Sequence, residues 1–311
     1  MRIPIASGLA RPARMSAGKA VARRRGDDVG WFKFAMLLPA IFWVVAFTFF
    51  PLLSVLNFSF TSYVLGRGIT GYVGIQNYLD VLQSGDFWHS IGITAMYVAV
   101  AVPIEVVLGF VLAWLVSLGA SGSRIFRAIL SAPLFTMEVA VGYLGVTLYT
   151  DQGGPFTLAL SYLGIHIPWF STGWGGILGA VILDIWRWTP FVFLIALAAM
   201  GSIPEPIYEA ALLDTRSHWQ IMWWLALPLC WPVMTVAILL LLIEALKVFG
   251  LPFALTSGGP GNSTQVFSIA DYLTTIQFFD FGKGSAMGVI FLVLVSVFIT
   301  FFFRQMRRNI E

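Results

Sequence analysis

EAALLDTRSHWQIMWWLALP, residues 209–228, crowds Glu209, Asp214, Arg216, Ser217, His218 and Gln220 into one short polar patch. The rest of the chain is strongly apolar. Of its 311 residues, 59% are hydrophobic and 11% charged, whereas a soluble domain carries roughly 25% charge. One water-soluble core cannot hide that much apolar surface, so the chain reads as an integral membrane protein. Its apolar runs have the length of crossing helices, about 20 residues, rather than the alternating ~10 of a barrel strand. The patch at 209–228 is then a segment that leaves the bilayer.

Working outward, the apolar runs predict an all-α membrane protein of six spans, at 34–56, 90–117, 126–149, 174–200, 226–247 and 285–303. Pro39, Pro103, Pro133 and Pro190 fall inside spans, where membrane helices tolerate them better than soluble ones do. Residues 1–33 form a basic tail with eight Lys/Arg, and 306–311 a short C-terminal tail. Arg124, Arg127, Arg216, Arg304, Arg307 and Arg308 lie on the same side as these tails, while the opposite loops hold Arg67 and Lys283. The positive-inside rule therefore predicts both termini and the 201–225 loop on the cytoplasmic face. The single Cys230 excludes an internal disulfide framework, and no folded basic domain follows the tail to suggest nucleic-acid binding.

Within the 201–225 loop, Pro204-Glu205-Pro206 marks a helix start, and Ile207 to Asp214 reads as a short helix. Ser217-His218-Trp219-Gln220 has capping-box spacing. A second helix is expected there, running through Trp223 and Trp224 into the next span. The unit is a helix, an elbow at Thr215-Arg216 and another helix.

This stretch resembles the cytoplasmic EAA loop of binding-protein-dependent ABC importer permeases: Glu209-Ala210-Ala211, Asp214, then Leu227-Pro228 at the family spacing. The family's usual Gly-Ala after the aspartate is here Thr215-Arg216. Glycine suits an elbow that needs positive φ, so the substitution puts the elbow's geometry in question. Three further blocks resemble the sugar-importer branch, first-permease type. They are Gly74-Ile75-Gln76-Asn77-Tyr78 with Asp86-Phe87-Trp88; Trp186-Arg187-Trp188-Thr189-Pro190-Phe191 with Ile203-Pro204; and Thr256 to Thr264 with Tyr272 and Phe278 to Gly282.

The resemblance implies the type I ABC importer permease fold and an inner-membrane location. It also implies a set of partners: a second homologous permease, two ATP-binding subunits, an extracytoplasmic solute-binding protein and a small-molecule solute, a sugar, oligosaccharide or polyol. Glycerol-phosphate esters are the alternative cargo. The chain has no phosphate-loop motif, so ATP and Mg are expected on the partner ATPases, with no cofactor and no metal in this chain. Glu209, Ala210, Ala211, Asp214, Thr215, Arg216, Trp219, Leu227 and Pro228 are the expected ATPase-coupling residues.

Ionisable groups inside spans are expensive and face a cavity or the bundle interior. Asp184 and Arg187, three apart, share a helix face and can neutralise each other; Glu244 and Lys247 repeat the spacing. The resemblance implies solute contacts on the spans either side of the EAA loop and on the span before them, so Glu138, Asp184, Arg187, Trp188 and Glu244 are the expected substrate path, with Glu105 set aside. Gly119-Ala120-Ser121-Gly122 matches a rhomboid-protease G-x-S-G, but His89, His166 and His218 all fall outside the expected spans, which leaves such a serine without a base.

Overall fold

The computed structural model describes residues 18–119, 123–215 and 217–308. The chain divides into two units at Val55/Leu56. The first is helix α1 (Gly18–Ser59) up to that boundary; it begins inside the stretch expected as a basic tail. Residues 1–17 and 309–311 lie outside the described residues, as do Ala120–Gly122 and Arg216.

The second unit opens with a hairpin, β1 (Thr61–Val64) and β2 (Gly68–Tyr72), antiparallel with a bulge at Ser62/Tyr63. It decorates an otherwise α-helical molecule. α2 (Gln76–Gln83) follows, and its Asn77 amide donates to the carbonyls of Ser59 and Thr61 at 2.9 Å each. Tyr78 shares a 2.6 Å hydrogen bond with Ser59. The Gly74–Tyr78 block is thus the clasp that holds the hairpin.

The remaining elements are α3 (Gly85–Ser117), α4 (Ser123–Ser131), α5 (Glu138–Tyr149), α6 (Pro155–Tyr162), α7 (Gly173–Gly201) and α8 (Glu205–Asp214). After them come α9 (His218–Ile221), α10 (Leu227–Leu246), α11 (Gly250–Thr256), α12 (Phe267–Tyr272) and α13 (Phe281–Arg308). Five stretches among the described residues are long and apolar enough to cross a membrane: Lys33–Ser59, Gly85–Ser117, Gly173–Gly201, His218–Leu246 and Phe281–Met306.

The sixth span is broken, which corrects the single helix expected at 126–149. Arg124–Phe135 and Glu138–Tyr149 meet at 99°. Pro133 lacks the N–H that an α-helix needs, so the chain tightens into a 3₁₀ turn over Ala132–Phe135. Thr136 and Met137 are extended, and the helix restarts at Glu138, whose carboxylate is favoured at a helix N-terminus.

α3 and α7 form the central pair. A Cβ added at Gly109 would lie 2.6 Å from Cβ of Val192; only glycine lets the two backbones come this close, as small residues do in membrane helix packing. One core, around Phe110, Trp114, Phe193, Met222 and Met234, joins α3, α7 and α10. A second, around Tyr97, Val141, Tyr149, Trp169 and Leu251, joins α3, α5, α7 and α11. Val81, Phe87, Phe267 and Met287 make a third beside α2.

Candidate functional site

Two regions gather the polar residues of this apolar chain: the elbow between α8 and α9, and a charged centre where α3, α5, α7, α10 and α11 approach one another.

The elbow starts where Pro204 caps α8, with Pro206 in the first turn. Tyr208 and Ala211 turn inward onto the α3–α7–α10 core, Tyr208 against Trp114 at 6.3 Å. Glu209, Ala210 and Asp214 face out, and Leu213 is 90% exposed. The small side chain at Ala211 thus seats α8 on the core, while the acidic residues stay exposed.

At Thr215 the backbone is extended, φ −148° and ψ 144°. The conformation suits a β-branched residue, so position 215 does not need the positive φ that glycine serves. The threonine hydroxyl also has a task. Thr215 Oγ1 accepts from the Ser217 N–H at 3.2 Å and donates to Gln220 Oε1, while Ser217 Oγ caps α9 by accepting from the Gln220 N–H at 3.4 Å. Arg216 lies outside the described residues.

From His218 the helix runs on to Leu246, interrupted by a π turn over Met222–Ala226. There the Leu227 N–H reaches back to Met222 O. Pro228 has no N–H and would clash with the carbonyl four residues earlier; widening the turn relieves both problems. Trp219, Trp223 and Trp224 are exposed beside it, Trp224 by 83%. This is the structural content of Leu227-Pro228.

The charged centre is built around Glu138. Its Oε1 lies 3.5 Å from Arg187 Nη1, and its Oε2 accepts from the Gly250 N–H at 3.3 Å. One carboxylate therefore sits at the N-terminus of α5, at the N-terminus of α11 and beside a guanidinium, three favourable settings for negative charge. A Cβ on residue 250 would lie 2.8 Å from Glu138 Oε2, so glycine is what admits the carboxylate. Arg187 Nε also donates to Thr136 O at 3.4 Å, across the break in the bent span, and the guanidinium stands 5.0 Å from the Trp188 ring.

This corrects the pairing expected from spacing: Arg187 pairs with Glu138, not with Asp184. Asp184 is 1% exposed and points into the α3–α7 seam, where Glu105 and Tyr97, each 0% exposed, share its surroundings. Both carboxylate oxygens of Glu105, Oδ1 of Asp184 and the Tyr97 hydroxyl have no hydrogen-bond partner among the described residues. Glu105, set aside on sequence grounds, belongs with Asp184. The signal for it was the charge itself, since a carboxyl this deep in a span has no neutral explanation in local spacing. Glu244 pairs with Lys247 at 2.8 Å, and both are substantially exposed, at 40% and 59%. Lys247 ends α10, three residues before Gly250 begins α11.

A large groove, about 660 Å³, lies elsewhere, between α3, α10 and α13. Its lining is apolar apart from Thr94, and a hydroxyl-rich molecule would find almost no partners there. At the hairpin end, Asn262 donates to Asp86 Oδ1 at 3.3 Å, His89 bonds Asn262 O at 3.2 Å, and Thr256 and Thr264 share a 2.7 Å bond. The Thr256–Thr264 and Asp86–Trp88 blocks, far apart in sequence, are one interlocked unit.

Residues 83–311 match the family described as binding-protein-dependent transport system inner membrane component. The trehalose/maltose transport system permease protein MalF of Thermococcus litoralis is 33% identical over 85% of this chain and 90% of its own. The trehalose transport system permease protein SugA of Mycobacterium tuberculosis is 29% identical over 89% of this chain and 90% of its own. Among solved structures, a bacterial alginate ABC transporter in complex with alginate pentasaccharide-bound periplasmic protein superposes with a TM-score of 0.80. It is 23% identical and covers 92% of this chain and 98% of that one. A bacterial ABC transporter involved in import of the acidic polysaccharide alginate gives 0.77 at 22% identity, covering 93% and 100%. The fold is that of a type I ABC importer permease, and the chain belongs to the family of binding-protein-dependent transport system inner membrane components.

Proposed function

We propose that this chain is the first-type permease of an ATP-driven importer that carries a sugar, oligosaccharide or polyol across the bacterial inner membrane by alternating access. Its partners are a second homologous permease, two ATP-binding subunits holding ATP and Mg, and an extracytoplasmic solute-binding protein. The basic residues flanking the spans support a placement with both termini and the elbow in the cytoplasm.

The observation that carries the reading is the elbow. α8 is seated on the core through Tyr208 and Ala211 while Glu209, Asp214, Leu213 and Trp219 stay exposed. A projection with an exposed polar and apolar face is suited to enter a groove on a partner. In this reading Glu209, Asp214 and Trp219 touch the ATPase. Glu138, Arg187, Trp188 and Glu244 border the solute path, and the indoles of Trp186 and Trp188 offer stacking faces to sugar rings. Asp184, sealed in the α3–α7 seam, supports the path from behind.

The experiment is copurification. A tagged chain expressed with its neighbouring genes is expected to bring down a second permease and an ATPase, and to take up sugar in vesicles only with ATP and the binding protein present. Recovery as a lone chain that transports by itself would refute the proposal.

A further inference from the structure

We infer that α4 is a lipid-binding arm: Arg124 and Arg127 hold the anionic headgroup of a cytoplasmic-leaflet phospholipid, while Ile125, Phe126 and Ile129 lie among its acyl chains. The inference rests on the membrane placement of the reading above and on none of its claims about cargo.

α4 sorts its residues around the helix. With 3.6 residues per turn, Ile125, Phe126 and Ile129 fall within one sector of about 100°, and all three are exposed. Arg124 and Arg127, three apart, share another face and are exposed as well. Leu130 falls between the two groups and packs on the α3–α7–α10 core. The core therefore holds α4 along one edge, with apolar side chains on one flank and the arginines on the other. A helix sorted in this way lies at the boundary between headgroups and acyl chains.

The broken span sets the depth. α5 has 12 residues, which rise only ~18 Å against ~30 Å of hydrocarbon. α4 and the 3₁₀ turn after it must cover the rest. The two arms meet at 99°, so both cannot stand along the bilayer normal, and α4 enters obliquely from the cytoplasmic side. Arg124, in its first turn, is then level with the headgroups, and Arg127, one turn further, can snorkel back to them. Charge selects the lipid. Among the described residues, neither arginine has a carboxylate in salt-bridge contact. A phosphate accepts the forked N–H groups of a guanidinium, and in a zwitterionic lipid the amine cancels its charge. Each arginine near an anionic leaflet favours binding by about fivefold.

The test uses the full chain with the subunits that copurify with it, in vesicles of phosphatidylcholine and phosphatidylglycerol at about 7:3. The probes are traces of either lipid carrying the same photoreactive acyl chain. After illumination, adducts are counted on the peptide spanning 123–131. The control is the peptide around Val293 and Val297 of α13, which are exposed within an uncharged run. The wild type is expected to give a glycerol-to-choline lipid ratio on α4 at least ~5-fold above that on α13. Arg124→Gln/Arg127→Gln is expected to bring the two ratios within ~2-fold, as is about 0.5 M NaCl on the wild type. A purely structural effect of the substitutions would not be reproduced by salt.

Should the double variant fail to assemble, Arg124→Gln and Arg127→Gln singly give the same readout, each with an intermediate ratio. Absence of adducts on α4 from either probe overturns the inference, because a protein partner then covers that face. Equal ratios on α4 and α13 in the wild type overturn it, as does a ratio unchanged in the variants, and in all these cases carbohydrate import stands. An ATPase missing from the copurified material refutes the importer reading and leaves the lipid ratio to be read as before.

Discussion

Arg187 reaches across the break in the bent span to Glu138, 3.5 Å away, and among the described residues Asp184, one turn back on its own helix, has no cation in salt-bridge contact. The carboxylate that receives it also holds Gly250, so one side chain ties α5, α7 and α11. Glu138→Ala should therefore destabilise the protein by about 1–3 kcal/mol, because it strands a nearly buried guanidinium and an N-terminal N–H of α11. Glu138→Gln should recover part of the loss. Thermal unfolding in detergent measures both.

Gly250→Ala tests the same node from the other side. The new methyl would crowd Glu138 Oε2, which lies 2.8 Å from the Cβ position. The carboxylate must move, and the expected loss is about 1–3 kcal/mol, the range of overpacked core sites. A double-mutant cycle with Glu138→Ala should be strongly non-additive.

At the elbow, Thr215→Gly would restore the residue usual in the family yet is expected to weaken the turn. It removes the hydroxyl that receives the Ser217 N–H and engages Gln220, and it frees an extended backbone that threonine already favours. The cost should resemble that of a lost cap, about 1 kcal/mol. Binding-protein-stimulated ATPase activity of the assembled complex should fall, and Thr215→Ser should retain most of it.

Asp271, outside the six spans, has its carboxyl pushed up to about 6 by burial, opposed by the hydroxyl of Thr275 at 3.2 Å. The folded protein then holds this proton more tightly than the unfolded chain does, so stability falls as pH rises from about 4 to about 6 and levels off above. Asp271→Asn should flatten that part of the profile and raise the melting temperature by a few degrees at pH 7. Melting curves across pH 4–8 test the sign.

How much of this was legible in the chain depended on how local the cause was. Pro204, Pro206 and Ser217 act within their own turns, and α8 and α9 begin where those residues direct. The broken span was not legible, because Pro133 is compatible with both a continuous membrane helix and a stop; the choice depends on Glu138 finding Gly250 and Arg187, on other elements. Spacing alone favours Asp184 for Arg187, and only the fold of α5 supplies a better partner. The same holds for Glu105, whose meeting with Asp184 exists only once α3 lies on α7. The Thr215 elbow shows the limit of a motif: glycine is common there in the family, but the backbone angle in this chain does not demand it.

The stretch His218–Leu246 is one 29-residue shaft, with the Trp219 face at one end and the Glu244–Lys247 pair at the other. At 1.5 Å per residue it is ~43 Å long, so a tilt of ~10° about one end swings the other by ~7 Å. In the proposed import reading, a push on the elbow would displace the Lys247 end in a single motion of one lever, with no relay of small steps between them. The π turn at Met222–Ala226 interrupts that lever one turn beyond the elbow.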